Sequence, residues 1–164
     1  MSEQQEATKT EAKTETPEPE VFLDHARGEY LRAADKADDE TMVTLVQGLR
    51  DAVALSHQTA TNKKWWDNVK GNAAEIFEGR ALHVSSEFAE AWELLRRKVN
   101  PTKIWYVTDE HGQMKPEGVP IEIADALIRT FDFIGFFGID IAEAVRIKLE
   151  FNRGRPARHG NKLA

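Results

Sequence analysis

Residues 120–153 read PIEIADALIRTFDFIGFFGIDIAEAVRIKLEFNR, and the reading of this stretch decides the fold class. Pro120 precedes IEIADALIRTFDFIGFF, where apolar residues recur at helical spacing; after Gly138 a second helical pattern, IDIAEAVRIKLEFNR, runs until Gly154 and Pro156 stop it. Working back toward the N-terminus, KIWYVTDEHGQMKPEGVP alternates β-formers ahead of an Asp-Glu-His-Gly turn signal, which predicts a short hairpin-like insertion near residues 103–116. A long helix is expected from about Asn72 through Val84, Phe88, Ala91, Trp92 and Leu95 to about Val99, ending ahead of Asn100-Pro101. Further back, TMVTLVQGLRDAVAL carries an apolar stripe at Met42, Leu45, Leu49 and Val53, and VFLDHARGEYLRAA is spaced like a helix as well. The chain reads as all-α, a helical bundle with one β-like insertion.

Composition bounds the classes. With 164 residues, 41% of them apolar, the chain suits one domain with a buried core. Residues 1–20 hold six Glu and two Lys with almost nothing apolar, so they are expected to be a disordered acidic tail before a single domain at 21–162. The most apolar run, FDFIGFFGIDIAEAV, is broken by Asp132 and Asp140 and falls short of the roughly 18 uninterrupted apolar residues of a membrane span. No cysteine and no secretory pattern point to a soluble protein of the reducing cytoplasm. The net charge of -6 disfavours nucleic acid as a partner, yet residues 146–164 hold six Lys or Arg against the single acid Glu150. That basic end is the candidate for binding anions.

Two helices each carry an acid pair. In VSSEFAEAW (84–92), Glu87 and Glu90 lie about 60° apart on a helix, with His83 and Leu94 on the same line. Glu122 and Asp125 repeat the spacing, followed on that face by Arg129 and Asp132. Either pair alone reads as a solvated face supporting local ion pairs, such as Asp125 with Arg129. If the pairs faced each other, four carboxylates would converge, each pair repelling by roughly 3 kcal/mol at about 5.5 Å and an effective dielectric near 20. Such a cluster needs a cation, and oxygen ligands without cysteine favour Mg²⁺, Mn²⁺ or Ca²⁺ over zinc. Lys148 and Asn152 share a helical face, and Arg153 and Arg155 follow; guanidinium forks suit phosphate oxygens.

SSEFAEAWE, KPEGVPIEIADALIRTFDF and GIDIAEAVRIKLEFNRGRPARHGNK, in this order, resemble the MazG-like nucleoside triphosphate pyrophosphohydrolases, over about residues 55–162. The resemblance implies a four-helix core, assembly as a homodimer or homotetramer, and Mg²⁺-dependent cleavage of NTPs or dNTPs to monophosphate and pyrophosphate, with Mn²⁺ as a substitute ion. The family's E-E-x-x-E box falls on Ser86-Glu87-Phe88-Ala89-Glu90, with Ser86 in the first place, and its E-x-x-D on Glu122-Ile123-Ala124-Asp125. By that resemblance Glu87, Glu90, Glu122 and Asp125 hold the metal and carry catalysis, while Lys148, Asn152, Arg153 and Arg155 bind the triphosphate. Trp65-Trp66 resembles the aromatic segment before the acidic helix, with Lys64 where a glycine commonly stands; Trp66 is the candidate to stack on the base. Trp105 and Tyr106 are expected to pack the insertion onto the bundle. No P-loop, G-x-G-x-x-G or nucleophile elbow competes. The alternative is a nucleotide sensor or interaction module that kept the bundle and lost turnover, motivated by Ser86.

Overall fold

The computed structural model describes residues 39–155. The chain divides into two units, Met1–Lys36 and Ala37–Ala164, and everything described belongs to the second. The expected acidic tail, the segment VFLDHARGEYLRAA and the last basic residues, Arg158 and Lys162, lie outside the described residues. The architecture is helical, with α1 (Asp39–Asn62), α2 (Ala73–Arg96), a hairpin of β1 (Trp105–Thr108) and β2 (Met114–Glu117), then α3 (Val119–Phe137) and α4 (Ile141–Arg153). No described helix is long and apolar enough to cross a membrane.

Local chemistry sets most boundaries. Asp39 and Glu40 sit in the first turn of α1, where negative charge complements the helix dipole. The helix outruns its apolar pattern, continuing through Ser56–Asn62 to a left-handed Lys64 (φ 60°), where the Trp65 N–H reaches the Ala60 carbonyl (3.0 Å) and the Lys64 N–H the Thr61 carbonyl (2.9 Å). That pair of bonds satisfies the last carbonyls as a left-handed cap does. A capping box opens α2: Asn72 Oδ1 accepts from the Ala74 and Glu75 N–H groups, and Glu75 Oε2 accepts from the Asn72 N–H. The hairpin is antiparallel with Trp105 opposite Glu117 and Thr108 opposite Met114, and Asp109 Oδ1 ties the turn by accepting from the His111 and Gln113 N–H groups. Gly118 then joins β2 to α3 at φ 134°, where a Cβ would lie 2.4 Å from the Lys103 carbonyl oxygen. Between the last two helices, Gly138 is left-handed (φ 65°) and Asp140 caps α4 by accepting from the Glu143 N–H.

The central element is α3: α2 and α1 both pack on it, the hairpin meets it through β2, and α4 packs on α1. At Gly135 α3 passes close against α1, since a Cβ there would lie 2.6 Å from that of His57. The buried apolar residues are mostly small, Ala60, Ala91, Ala126 and Ala142 among them, together with Val119, Phe133 and Ile134. Three acids are buried with them, Glu87, Glu122 and Asp132.

Burial departs from the apolar pattern on three helices. On α1 the stripe runs through Met42, Val46, Leu49 and Val53, leaving Leu45 exposed, so the expected position of Leu45 is one residue off. On α2, Val84 is half-buried and Ala91 buried, but Phe88, Trp92 and Leu95 face outward while Glu87 faces in. On α3, Ile123, Leu127 and Ile128 are exposed and Glu122 is not. The reading of the acids as a solvated face therefore fails for Glu87 and Glu122. Tyr106 is 61% exposed rather than packed on the bundle.

Candidate metal and nucleotide site

The acids of α2 and α3 meet. Ala91 and Ala126, each one turn beyond a buried acid, are buried themselves, and their small side chains allow the close approach that long ones would block. Carboxylate oxygens of Glu87, Glu90 and Glu122 all lie within 4.8 Å of one another. Glu87 and Glu122 are 5% and 7% exposed, while Glu90 opens to solvent.

Charge is unevenly compensated. Arg129 Nε lies 2.9 Å from Glu87 Oε1, so the guanidinium pairs across the helices instead of with Asp125 on its own helix. Among the described residues no ion pair reaches Glu90 or Glu122. Burial holds the Glu122 carboxyl above the usual carboxylate range, and the charges of Glu90, Glu117, Asp125 and Glu87 push it in the same direction. Three oxygen donors with one guanidinium among them could hold a hard divalent ion such as Mg²⁺ or Mn²⁺, which takes oxygen ligands and would supply the missing positive charge.

The other sequence-predicted residues are distributed as follows. Asp125 is outside the group of three; it lines a neighbouring cavity, and its charge reaches Glu122 and Lys115. Ser86 is exposed and its hydroxyl donates back to the His83 carbonyl at 2.7 Å, so the first place of the box brings no carboxylate to the cluster. Lys148, Asn152, Arg153 and Arg155 belong to α4 and its exit, and no hydrogen bond or ion pair joins them to the acids. Lys148 and Arg155 lie against the Phe151 ring, at 5.0 and 5.5 Å. Trp66 has both faces covered: it stacks on Phe136 at 3.9 Å, and the Arg80 guanidinium lies 4.0 Å from its ring centre. Neither face is left for a base.

A 36-residue stretch of the chain is 47% identical to a dATP/dGTP diphosphohydrolase of Cyanophage S-2L. The match covers 22% of this chain and 34% of that protein, so the chain spans about a third of the relative's length. No family model and no solved structure matches the chain.

Four residues of the site region were not among the expected ligands. Arg129, expected to pair with Asp125, and Asp132, expected only to lie on the same face of α3, have partners far along the chain; Glu87 on one side and Trp66 with His57 on the other lie 42, 66 and 75 positions away and leave no local signal. Glu117, paired with Lys115 at 2.8 Å, adds to the negative field at Glu122 from β2. Trp65, not Trp66, is the exposed member of the pair, at 58%. The left-handed Lys64 separates the two tryptophans from the end of α1, and sequence spacing alone does not tell which of them turns inward.

Proposed function

We propose that the chain is a Mg²⁺-dependent nucleotide pyrophosphohydrolase that cleaves NTPs or dNTPs to the monophosphate and pyrophosphate. The observation that carries the reading is the convergence of Glu87, Glu90 and Glu122 between two helices. The short similarity to a dATP/dGTP diphosphohydrolase supports it and makes purine deoxynucleoside triphosphates the first substrates to test. A divalent ion bound there would neutralise triphosphate charge and stabilise the charge developing on the leaving pyrophosphate. Glu87 and Glu122 are held rigidly by burial, and Arg129 fixes the orientation of Glu87. Glu90, facing solvent, orients a water toward the α-phosphorus and accepts its proton as the new P–O bond forms and the α–β anhydride bond breaks. Mn²⁺ would substitute for Mg²⁺ at the same oxygens.

The phosphate-binding role of Lys148, Asn152, Arg153 and Arg155 fits this reading if α4 of a second copy brings them to the acids. A homodimer or homotetramer is proposed on that ground. The exposed faces of Phe88, Trp92, Leu127 and Ile128 support it, because the described residues leave these large apolar groups uncovered.

The test is incubation with each NTP and dNTP plus Mg²⁺, with pyrophosphate and monophosphate both measured. Glu90→Gln and Glu122→Gln should abolish release of both products. Tight nucleotide binding without turnover by the parent would select the sensor reading instead. Failure to turn over or bind any nucleotide would sink both.

A further inference from the structure

We propose that the cavity between Trp65 and Asp132 seats the nucleobase, and that Asp132 selects bases presenting N–H donors, guanine above the rest. The inference rests on the pyrophosphohydrolase reading of the acid cluster and adds to it the identity of the base.

Along α3, Glu122, Asp125, Arg129 and Asp132 follow one another on a single face. A cavity of about 570 Å³ begins beside Asp125 and Arg129, with Trp65, Arg80 and His83 in its wall. The same Trp65, Arg80, His83 and Arg129 line a narrower recess of about 90 Å³, and Asp132 is in the wall of that recess. From Asp125 to Asp132 is about 10 Å along the helix axis at 1.5 Å per residue. That is of the order of the reach from a nucleotide's α-phosphate to the far edge of its base. A triphosphate at the acids therefore directs its base into this recess.

Asp132 is 7% exposed, and its two oxygens differ. Oδ1 accepts from Trp66 Nε1 at 2.7 Å and from His57 Nδ1 at 2.9 Å. Among the described residues Oδ2 has no protein donor, and no unpartnered side-chain oxygen there is sealed from solvent, so Oδ2 stays reachable. The carboxylate is thus locked in orientation by two donors and left half-satisfied. A group that desolvated favours a ligand able to complete its hydrogen bonds. Trp66 is committed to this lock, which explains why both its faces and its N–H are occupied. Trp65, 58% exposed, makes no ring contact with a described residue and offers an aromatic wall for stacking.

A carboxylate oxygen only accepts. Guanine turns N1–H and the exocyclic amine toward it, two adjacent donors. Adenine and cytosine offer one amine beside a ring nitrogen that is itself an acceptor, and uracil or thymine offers one N–H between two carbonyls. The order expected is guanine first, then adenine and cytosine, with uracil and thymine last, and a preference of about 10–100-fold for guanine over adenine in kcat/KM.

The experiment uses the full chain with Mg²⁺ and the triphosphates of all the bases, comparing the parent with Asp132→Asn and Trp65→Ala. In Asp132→Asn the amide oxygen still accepts from Trp66 and His57, while the NH₂ replaces Oδ2 and presents donors to the recess. The guanine advantage should vanish or invert, chiefly through KM, while a purely structural role would lower all nucleotides alike. Trp65→Ala, an exposed position, should weaken every base in similar proportion and leave the ranking intact. Turnover by the parent without a guanine preference, or equal losses for all bases in Asp132→Asn, overturns the inference while leaving the pyrophosphohydrolase reading in place. If no nucleotide is turned over, calorimetric titration with GMP and AMP decides: tighter GMP binding that Asp132→Asn abolishes upholds the base seat after the enzymatic reading has failed, and equal or absent binding ends both.

Discussion

Glu122 shows how far a single side chain can depart from the interest of the fold. Buried among like charges with no ion pair of its own, it is held above the usual carboxylate range by burial and by Glu90, Glu117, Asp125 and Glu87, in that order. Replacing it by the neutral isostere Glu122→Gln should stabilise the metal-free protein at neutral pH, on the order of 1 kcal/mol, as relief of an uncompensated buried charge does. If the acids hold Mg²⁺ as proposed, the parent should rise in Tm on adding it, and the same variant should lose that rise and fall at least ~10²-fold in turnover, a combination checked by thermal melts with and without Mg²⁺ beside the pyrophosphate assay. Glu87 is the opposite case, because it has Arg129. Arg129→Leu leaves that buried carboxylate alone and should cost about 2–3 kcal/mol in urea unfolding, less than for a sealed pair because Arg129 is 48% exposed. Unchanged stability in Arg129→Leu would show that the pair contributes nothing.

Among the elements, two backbone positions set where the site residues stand. Lys64 takes a left-handed conformation that costs a side-chain-bearing residue roughly 1–2 kcal/mol and glycine nothing. Lys64→Gly should therefore raise stability by about 1 kcal/mol, seen as roughly 2–4 °C in Tm. Gly118 has the reverse sensitivity: Gly118→Ala puts a methyl 2.4 Å from the Lys103 carbonyl at φ 134° and should cost about 2–3 kcal/mol. Because the Gly118 carbonyl accepts from the N–H groups of Ile121 and Glu122, turnover should fall along with stability. Element ends were the most legible part of the sequence, since Asn72, Gly138 and Gly154 act through bonds to their own neighbours. Face assignments were less so. The pattern rule assumes that the apolar side turns inward, and α2 turns Glu87 in while leaving Phe88 and Trp92 out. The spacing of Glu87, Glu90 and Glu122 was readable; that the three come together depends on α2 packing against α3, which no single helix encodes.

For the molecule as a whole, assembly depends on joints between helices distant in sequence. One is the seam of α4 on α1, where Arg50 Nη2 meets Asp140 Oδ2 at 3.0 Å across 90 positions. The Asp140 carboxyl is held below its ordinary value of 3.8, first by the Glu143 N–H and next by Arg50. A depressed native value means that the contribution is complete above about pH 5, well above the ordinary value, and is lost as the pH falls through the native value. The stability gap between the parent and Asp140→Asn should stay constant from about pH 8 to 5 and close below it, as pH-dependent urea unfolding will show. A gap that widens toward acid would contradict this. The two neighbouring tryptophans have a consequence of another kind. Trp66 is clamped between Phe136 and Arg80 with its N–H bonded to a carboxylate, whereas Trp65 is 58% open to water. Trp92, 62% exposed, and Trp105 emit as well, so with those two replaced by Phe the blue side of the intrinsic fluorescence should follow the integrity of the bundle at Trp66 and the red side the surroundings of Trp65.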